Sequence, residues 1–220
     1  MNYPPRPRSA GEGKGEGQMI EEKNVLPKFK TIFLSNTPPK DKGIAELIKW
    51  CAVFHEKELA PCYGKGTFGN LSYRIKPGSP QFIITASGLT SKDILKNADF
   101  VHVESADAGT YTVHATGIRA PSSESILHHV IYRARPEINA VFHGHCGKIM
   151  DNAAGLAIPC TSKEEPYGTK ALIEEVLAII KDNDFVVMKN HGFISLGKNM
   201  EEAGKRALDQ FTKACAPGPQ

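Results

Sequence analysis

The chain has 220 residues, enough for one substantial domain, and its 40% apolar and 23% charged residues are the balance of an ordinary globular protein. A formal net charge of +3, with Lys and Arg scattered among acids, gives no basic stripe for nucleic acid, and no apolar run reaches the roughly eighteen residues of a membrane span. No signal peptide is recognisable, and five cysteines (Cys51, Cys62, Cys146, Cys160, Cys215) without a C-x-x-C pair suit a reducing cytoplasm.

Residues 1–40 read as a flexible N-terminal extension. From Tyr3 to Gln18 there are three prolines and a Gly-Glu-Gly-Lys-Gly-Glu-Gly run, too little apolar surface to offset ordering entropy. The folded domain is expected over residues 41–215. Ile44, Leu47, Ile48 and Cys51 recur at helical spacing through Glu58. After a glycine-rich turn, Asn70 to Ile75 and Gln81 to Ala86 read as strands. Thr90-Ser91-Lys92-Asp93 reads as a capping box opening a short helix. Asp99 to Glu104 and Thr110 to Ala115 alternate across an Ala-Asp-Ala-Gly turn, which predicts a hairpin. Pro121-Ser122-Ser123 opens a helix that Pro136 stops, and Asn139 to His145 is a strand. A helix over 169–182, a valine-rich strand over 184–189, a strand over 193–196 and a helix over 199–213 complete the domain. This order argues for a single α/β domain with a mostly antiparallel sheet.

His143-Gly144-His145 is the strongest chemical signal. On a strand, residues two apart share a face, so both imidazoles can lean onto one metal, with Gly144 leaving the opposite face open. The alternative is a pair of ordinary core or surface histidines. His191, at a strand end before Gly192, is either a third ligand or a turn residue. Glu124, in the first turn of its helix, is either an acid complementing the helix dipole or a proton-transfer base beside a metal; spacing does not separate the two. Three segments could bind an anion through backbone N–H groups: Gly64 to Asn70, Ser87-Gly88, and Ser122-Ser123 at a helix start. Each alone is equally a turn or cap. The remaining histidines, His128 among them, read as ordinary.

In order, Gly66-Thr67-Phe68-Gly69-Asn70-Leu71-Ser72, Ile84-Thr85-Ala86-Ser87-Gly88, Pro121-Ser122-Ser123-Glu124, Ala140 to His145 and His191-Gly192 resemble the class II aldolase/adducin family over residues 44–211. The resemblance implies a three-layer α/β/α domain around a largely antiparallel sheet, and a homotetramer with active sites between subunits. It implies one Zn2+ per subunit on His143, His145 and His191, with Glu124 as proton donor and acceptor. Gly69, Asn70, Ser87, Gly88, Ser122 and Ser123 match the positions that cradle a substrate phosphate. The implied activity is a zinc-dependent, aldolase-type lyase acting on a small phosphorylated sugar or keto compound through a metal-stabilised enediolate. Pentulose-phosphate 4-epimerisation, ketose-phosphate dehydration and a non-catalytic adducin-like interaction domain are the alternatives. One departure stands out: family aldolases carry a tyrosine after the His-x-His strand, and here no tyrosine lies between His145 and Ile158. Tyr167 is the nearest.

Overall fold

The computed structural model describes residues 27–216, and the Pro- and Gly-rich tail through Gln18 lies outside them. Eight strands form one mixed sheet in the order β1 (Lys30–Ser35), β7 (Thr112–Thr116), β6 (Phe100–Asp107), β5 (Phe82–Thr85), β4 (Asn70–Arg74), β8 (Ala140–Gly144), β10 (Gly192–Gly197), β9 (Phe185–Met188). β1 runs parallel to β7, and the other neighbouring pairs are antiparallel. A separate two-stranded ribbon joins β2 (Cys62–Tyr63) to β3 (Gly66–Thr67). The α/β reading of the sequence holds at this level.

Sequence pattern explains which strands are central. β4, β5, β8, β9 and β10 are buried at every position, as strands packed on both faces are. β6 and β7 alternate buried and half-exposed residues, so one of their faces meets solvent. Helix α1 (Ile44–Glu56) buries Ile44, Leu47, Cys51 and Phe54 along one stripe, and Phe54 meets Phe142 of β8 edge to face at 5.5 Å. Helix α5 (Met200–Cys215) is capped by Asn199, whose side chain accepts from the Glu202 N–H at 2.8 Å. α2 (Ser125–Ala134) and α4 (Lys170–Ile180) pack on each other, with Tyr132 of α2 reaching Ser72 of β4 at 2.8 Å. Because Ser72 pairs with Val141, neighbour of Phe142, α2 lies on the sheet face opposite α1.

Two local expectations change. Thr90 to Asp93 forms no helix: the Ser91 hydroxyl donates to the Asp93 carboxylate, and Lys92 turns inward to the Phe68 carbonyl. The cap side chains are thus occupied, and only a 3-10 turn, Asn97–Asp99, follows. A short helix, α3 (Gly147–Asp151), follows β8 where the sequence reading placed no element.

The reading of residues 1–40 as an extension also needs revision over its described part. Residues 30–35 build β1, and Phe29, 9% exposed, is seated among Ile126 and Leu127 of α2 and Leu172 and Ile173 of α4. An edge strand needs only one neighbour, so a short, weakly alternating segment suffices once its ladder partner β7 exists. Phe29→Ala should cost about 3 kcal/mol of stability in urea unfolding, as large-to-small core changes do. A loss within about 0.5 kcal/mol, the range of neutral surface changes, would show that this segment adds no packing.

Candidate active site

One end of the sheet gathers the functional side chains. β8 ends at Gly144, antiparallel to the start of β4 at Asn70 and to the start of β10 at Gly192. β5 ends nearby, and a bridge between Ala86 and Pro121 ties it to the loop before α2. The Ser122 N–H donates to the Thr85 carbonyl at 3.2 Å and the Ser87 N–H to the Ala120 carbonyl at 2.8 Å, so the two serine segments lie side by side.

His143, His145 and His191 converge, with their candidate ligand nitrogens all within 4.8 Å of one another. His143 is the innermost and fully buried. Its Nδ1 lies 2.9 Å from the Phe193 carbonyl oxygen, which can only accept, so Nδ1 carries a proton and Nε2 is the atom that faces the centre. His145 stands one residue beyond β8; its N–H donates to the Leu59 carbonyl at 2.8 Å, and its ring stacks on Phe68 at 4.5 Å. The His143 and His145 Nε2 atoms are 2.9 Å apart. Two imidazole nitrogens that close repel unless they share a proton or a metal ion. His191 enters from the short turn between β9 and β10, where Asn190 adopts φ 54°.

Glycine spacing makes the convergence possible. A Cβ on Gly144 would strike the Phe193 ring and lie 2.6 Å from the Leu59 carbonyl oxygen. The face opposite the histidines is therefore filled by the core, where the sequence suggested an open face. A Cβ on Gly192 would meet the Gly144 carbonyl and lie 2.8 Å from Cε1 of His143.

Glu124 is the N-cap residue of α2 and not a member of its first turn, and it makes no side-chain cap hydrogen bond. Its carboxylate turns instead to the histidines. Oε2 is 3.1 Å from His143 Nε2 and accepts from Asn70 Nδ2 at 2.8 Å, while Oε1 is 3.3 Å from His191 Nε2. The side chain thus faces the histidines and makes no cap hydrogen bond with the helix. Burial would raise its pKa, but positive charge at His143 and His191, with the Asn70 amide, outweighs this and holds the carboxyl below its ordinary value. Burial also pushes His145 well below the usual imidazole range, with positive charge at His143 and His191 adding to it. Both residues therefore favour their metal-ready forms, carboxylate and neutral imidazole.

Three imidazoles beside one carboxylate fit a divalent ion that accepts nitrogen donors, zinc before magnesium or calcium. The buried Oε1 of Glu124, which accepts no hydrogen bond, is the polar atom that such an ion or a substrate proton satisfies.

Glu124, His145 and His191 line one cleft with Gly69, Asn70, Ser87, Gly88, Ser122 and Ser123. All six residues named from sequence as anion-binding are thus brought together, while His143 sits beneath. The Asn70 amide nitrogen is engaged by Glu124, while its buried Oδ1 accepts no hydrogen bond among the described residues. Thr67 and Phe68, within the Gly64 to Asn70 segment already named, line the cleft as well. Sequence reading missed Tyr63, in the β2–β3 ribbon whose two-residue strands have no periodicity to read, and Lys92, hidden in the supposed helix cap. Tyr167 lines the cleft too, and Lys28 braces it, donating to its carbonyl at 2.8 Å with Nζ 3.9 Å from its ring centre. His128 is buried beside Ser72 at 2.7 Å and pushed down to about 3 by burial, a neutral core residue at pH 7.

The family model described as "Class II Aldolase and Adducin N-terminal domain" matches residues 45–215. Among curated proteins, the chain is 32% identical over 136 residues to a fluorothreonine transaldolase of Streptantibioticus cattleyicolor, covering 61% of this chain and only 20% of that protein. It is 31% identical over 160 residues to the 5-methylthioribulose-1-phosphate/5-deoxyribulose-1-phosphate aldolase of Rhodospirillum rubrum, covering 66% of this chain and 68% of that one. Among solved structures, an L-fuculose 1-phosphate aldolase superposes with a TM-score of 0.64 at 25% identity, covering 80% of this chain and 86% of that one. Among the described residues, no helix is long and apolar enough to cross a membrane.

The site makes a direct prediction about metal. Elemental analysis after gentle purification should find about one divalent ion per wild-type chain and almost none in a His143→Ala/His145→Ala double variant. Equal metal in the two proteins would refute the three-histidine centre.

Proposed function

This chain belongs to the class II aldolase/adducin family, and on that premise we propose that it is an aldolase-type lyase acting on a small phosphorylated ketose with a zinc ion held by His143, His145 and His191. One observation carries the proposal. The Glu124 carboxylate stands 3.1 and 3.3 Å from two of the three converging imidazoles, in a cleft whose other wall is built from serine and glycine turns.

When bound, the zinc ion supplies Lewis acidity toward the substrate's carbonyl oxygen, acidifying the neighbouring C–H. The protein's own groups do the rest. Glu124, kept ionised by the positive charge around it, takes the proton from that carbon and can return one to it. Asn70 holds Oε2, leaving Oε1 to meet the proton. The backbone at Gly69, Asn70, Ser87 and Gly88 and the helix start at Ser122-Ser123 hold the phosphate, which fixes the ketose in register with Glu124. The names of the relatives support this substrate class: two act on ketose 1-phosphates.

Aldol cleavage, 4-epimerisation and dehydration branch from related handling of such a ketose, and their differences lie in the second proton donor. Cleavage is the reading favoured by the aldolase relatives. The adducin-like scaffold is disfavoured by the intact histidine cluster with its buried carboxylate. Self-association into a tetramer belongs to the same proposal, and Phe33, Leu34, Ile94 and Ile118 are exposed apolar side chains available to it.

Glu124→Gln keeps the side chain's size but cannot accept a proton near neutral pH. It should lower turnover of a ketose phosphate by about 10²–10⁴ while metal content and cooperative unfolding persist. A folded, metal-loaded variant with wild-type turnover would remove Glu124 from the chemistry.

A further inference from the structure

Lys92 stands apart among the buried groups of this domain. It is 2% exposed, yet it lines the cleft together with Ser87, Gly88, Ser122 and Ser123. Its Nζ donates to the Phe68 carbonyl at 2.8 Å and to the Thr67 hydroxyl at 3.3 Å. The titratable groups that act on it are Cys51 and Cys62, both thiols, with no carboxylate among them. An ammonium group has three protons to place and one unit of charge to neutralise. Two of those protons have neutral acceptors, and among the described residues the charge has no counter-ion. Burying such a charge is costly, and a fold that merely needed to fill this space would be better served by an apolar side chain.

We propose that Lys92 is the counter-ion of the substrate's anionic group, so that the cleft selects a phosphorylated ketose over its unphosphorylated form through this lysine. The inference rests on the phosphorylated-ketose reading above and adds to it a residue outside the glycine and serine turns. Lys92 holds the Phe68 carbonyl, just before Gly69 and Asn70, and so ties down the backbone that leads to them. Burial pushes the ammonium down to about 8, with the thiols opposing, which leaves it charged at pH 7. The same cleft is lined by the carboxylate of Glu124, so an anion beside that group is repelled while one at Lys92 is held. The substrate's orientation follows from that polarity.

The test uses the full-length chain and inorganic phosphate as the probe, with affinity read from the rise in melting temperature at constant ionic strength. Wild type should be stabilised by phosphate. Lys92→Met should melt at or above the wild-type temperature without phosphate, since an uncompensated buried charge is gone, and should bind phosphate at least about tenfold more weakly, one charge-assisted hydrogen bond being removed. The same variant should raise KM for a ketose phosphate by more than it lowers kcat. Wild-type phosphate affinity in Lys92→Met overturns the assignment. If Lys92→Met does not fold, Lys92→Gln decides, because it keeps a donor for Phe68 and drops the charge: a tenfold loss supports the proposal and unchanged affinity ends it. Failure of wild type itself to bind phosphate or a ketose phosphate would overturn the phosphorylated-substrate reading, a result distinct from unchanged binding in the variants.

Discussion

The site depends on one hydrogen bond, from Nδ1 of His143 to the carbonyl of Phe193. It crosses from β8 to β10, where Phe193 pairs with Gly144 and Ile194 with His143. The bond fixes the tautomer of His143 and aims Nε2 at the centre, and from that atom the rest of the arrangement is measured. Glu124 lies 3.1 Å away and His145 2.9 Å away, with the His191 ring centre 5.1 Å from that of His143. A one-residue slip of β10 on β8 would turn Phe193 from the core and remove the carbonyl. Close packing at Gly144 and Gly192 resists that slip, so the register that builds the core also orients the ligand.

Charge is laid out along the cleft with the same economy. Asn70 and the histidines surround a buried carboxylate, and Lys92 brings a buried ammonium to the lining of the same cleft. Neither group is neutralised by a direct ion pair with the other. A small polar substrate bearing an acidic C–H and an anionic tail matches this division. Phe68 connects the two regions: its carbonyl holds Lys92 and its ring stacks on His145. Binding of an anion and orientation of a metal ligand therefore share one rigid piece of backbone.

Much of this was legible in the sequence, and the reasons can be given residue by residue. The α1 stripe and the alternating β6–β7 hairpin carry periodicities that survive any tertiary context. His143-x-His145 was legible because strand geometry forces two such residues to one side. The ambiguity of Glu124 was real, since a carboxylate at a helix start looks the same whether it serves the helix or faces away. Only the positions of His143 and His191, far off in sequence, decide it. Lys92 was invisible because Ser91 and Asp93 around it mimic a cap, and a buried lysine leaves no pattern of its own. β1 was lost because an edge strand paired on one side needs little alternation. Gly144 was noticed for the wrong reason: its missing side chain makes room for Phe193 and Leu59 rather than for a ligand.

The central claim is that the three histidines, their ion and Glu124 form one proton-transfer unit. Its most direct test is deuterium incorporation into a ketose phosphate dissolved in heavy water, followed by NMR with metal-stripped and zinc-reloaded protein. Such exchange needs only the unit itself, whereas net cleavage also needs a group to take the proton from the hydroxyl that becomes the aldehyde, and the family tyrosine is absent from the stretch between His145 and Ile158. The account predicts incorporation at the carbon beside the carbonyl with reloaded wild type, faster than any carbon–carbon cleavage, and none with stripped protein. Exchange that persists undiminished without metal, or no exchange by the reloaded enzyme with any ketose phosphate, would contradict it.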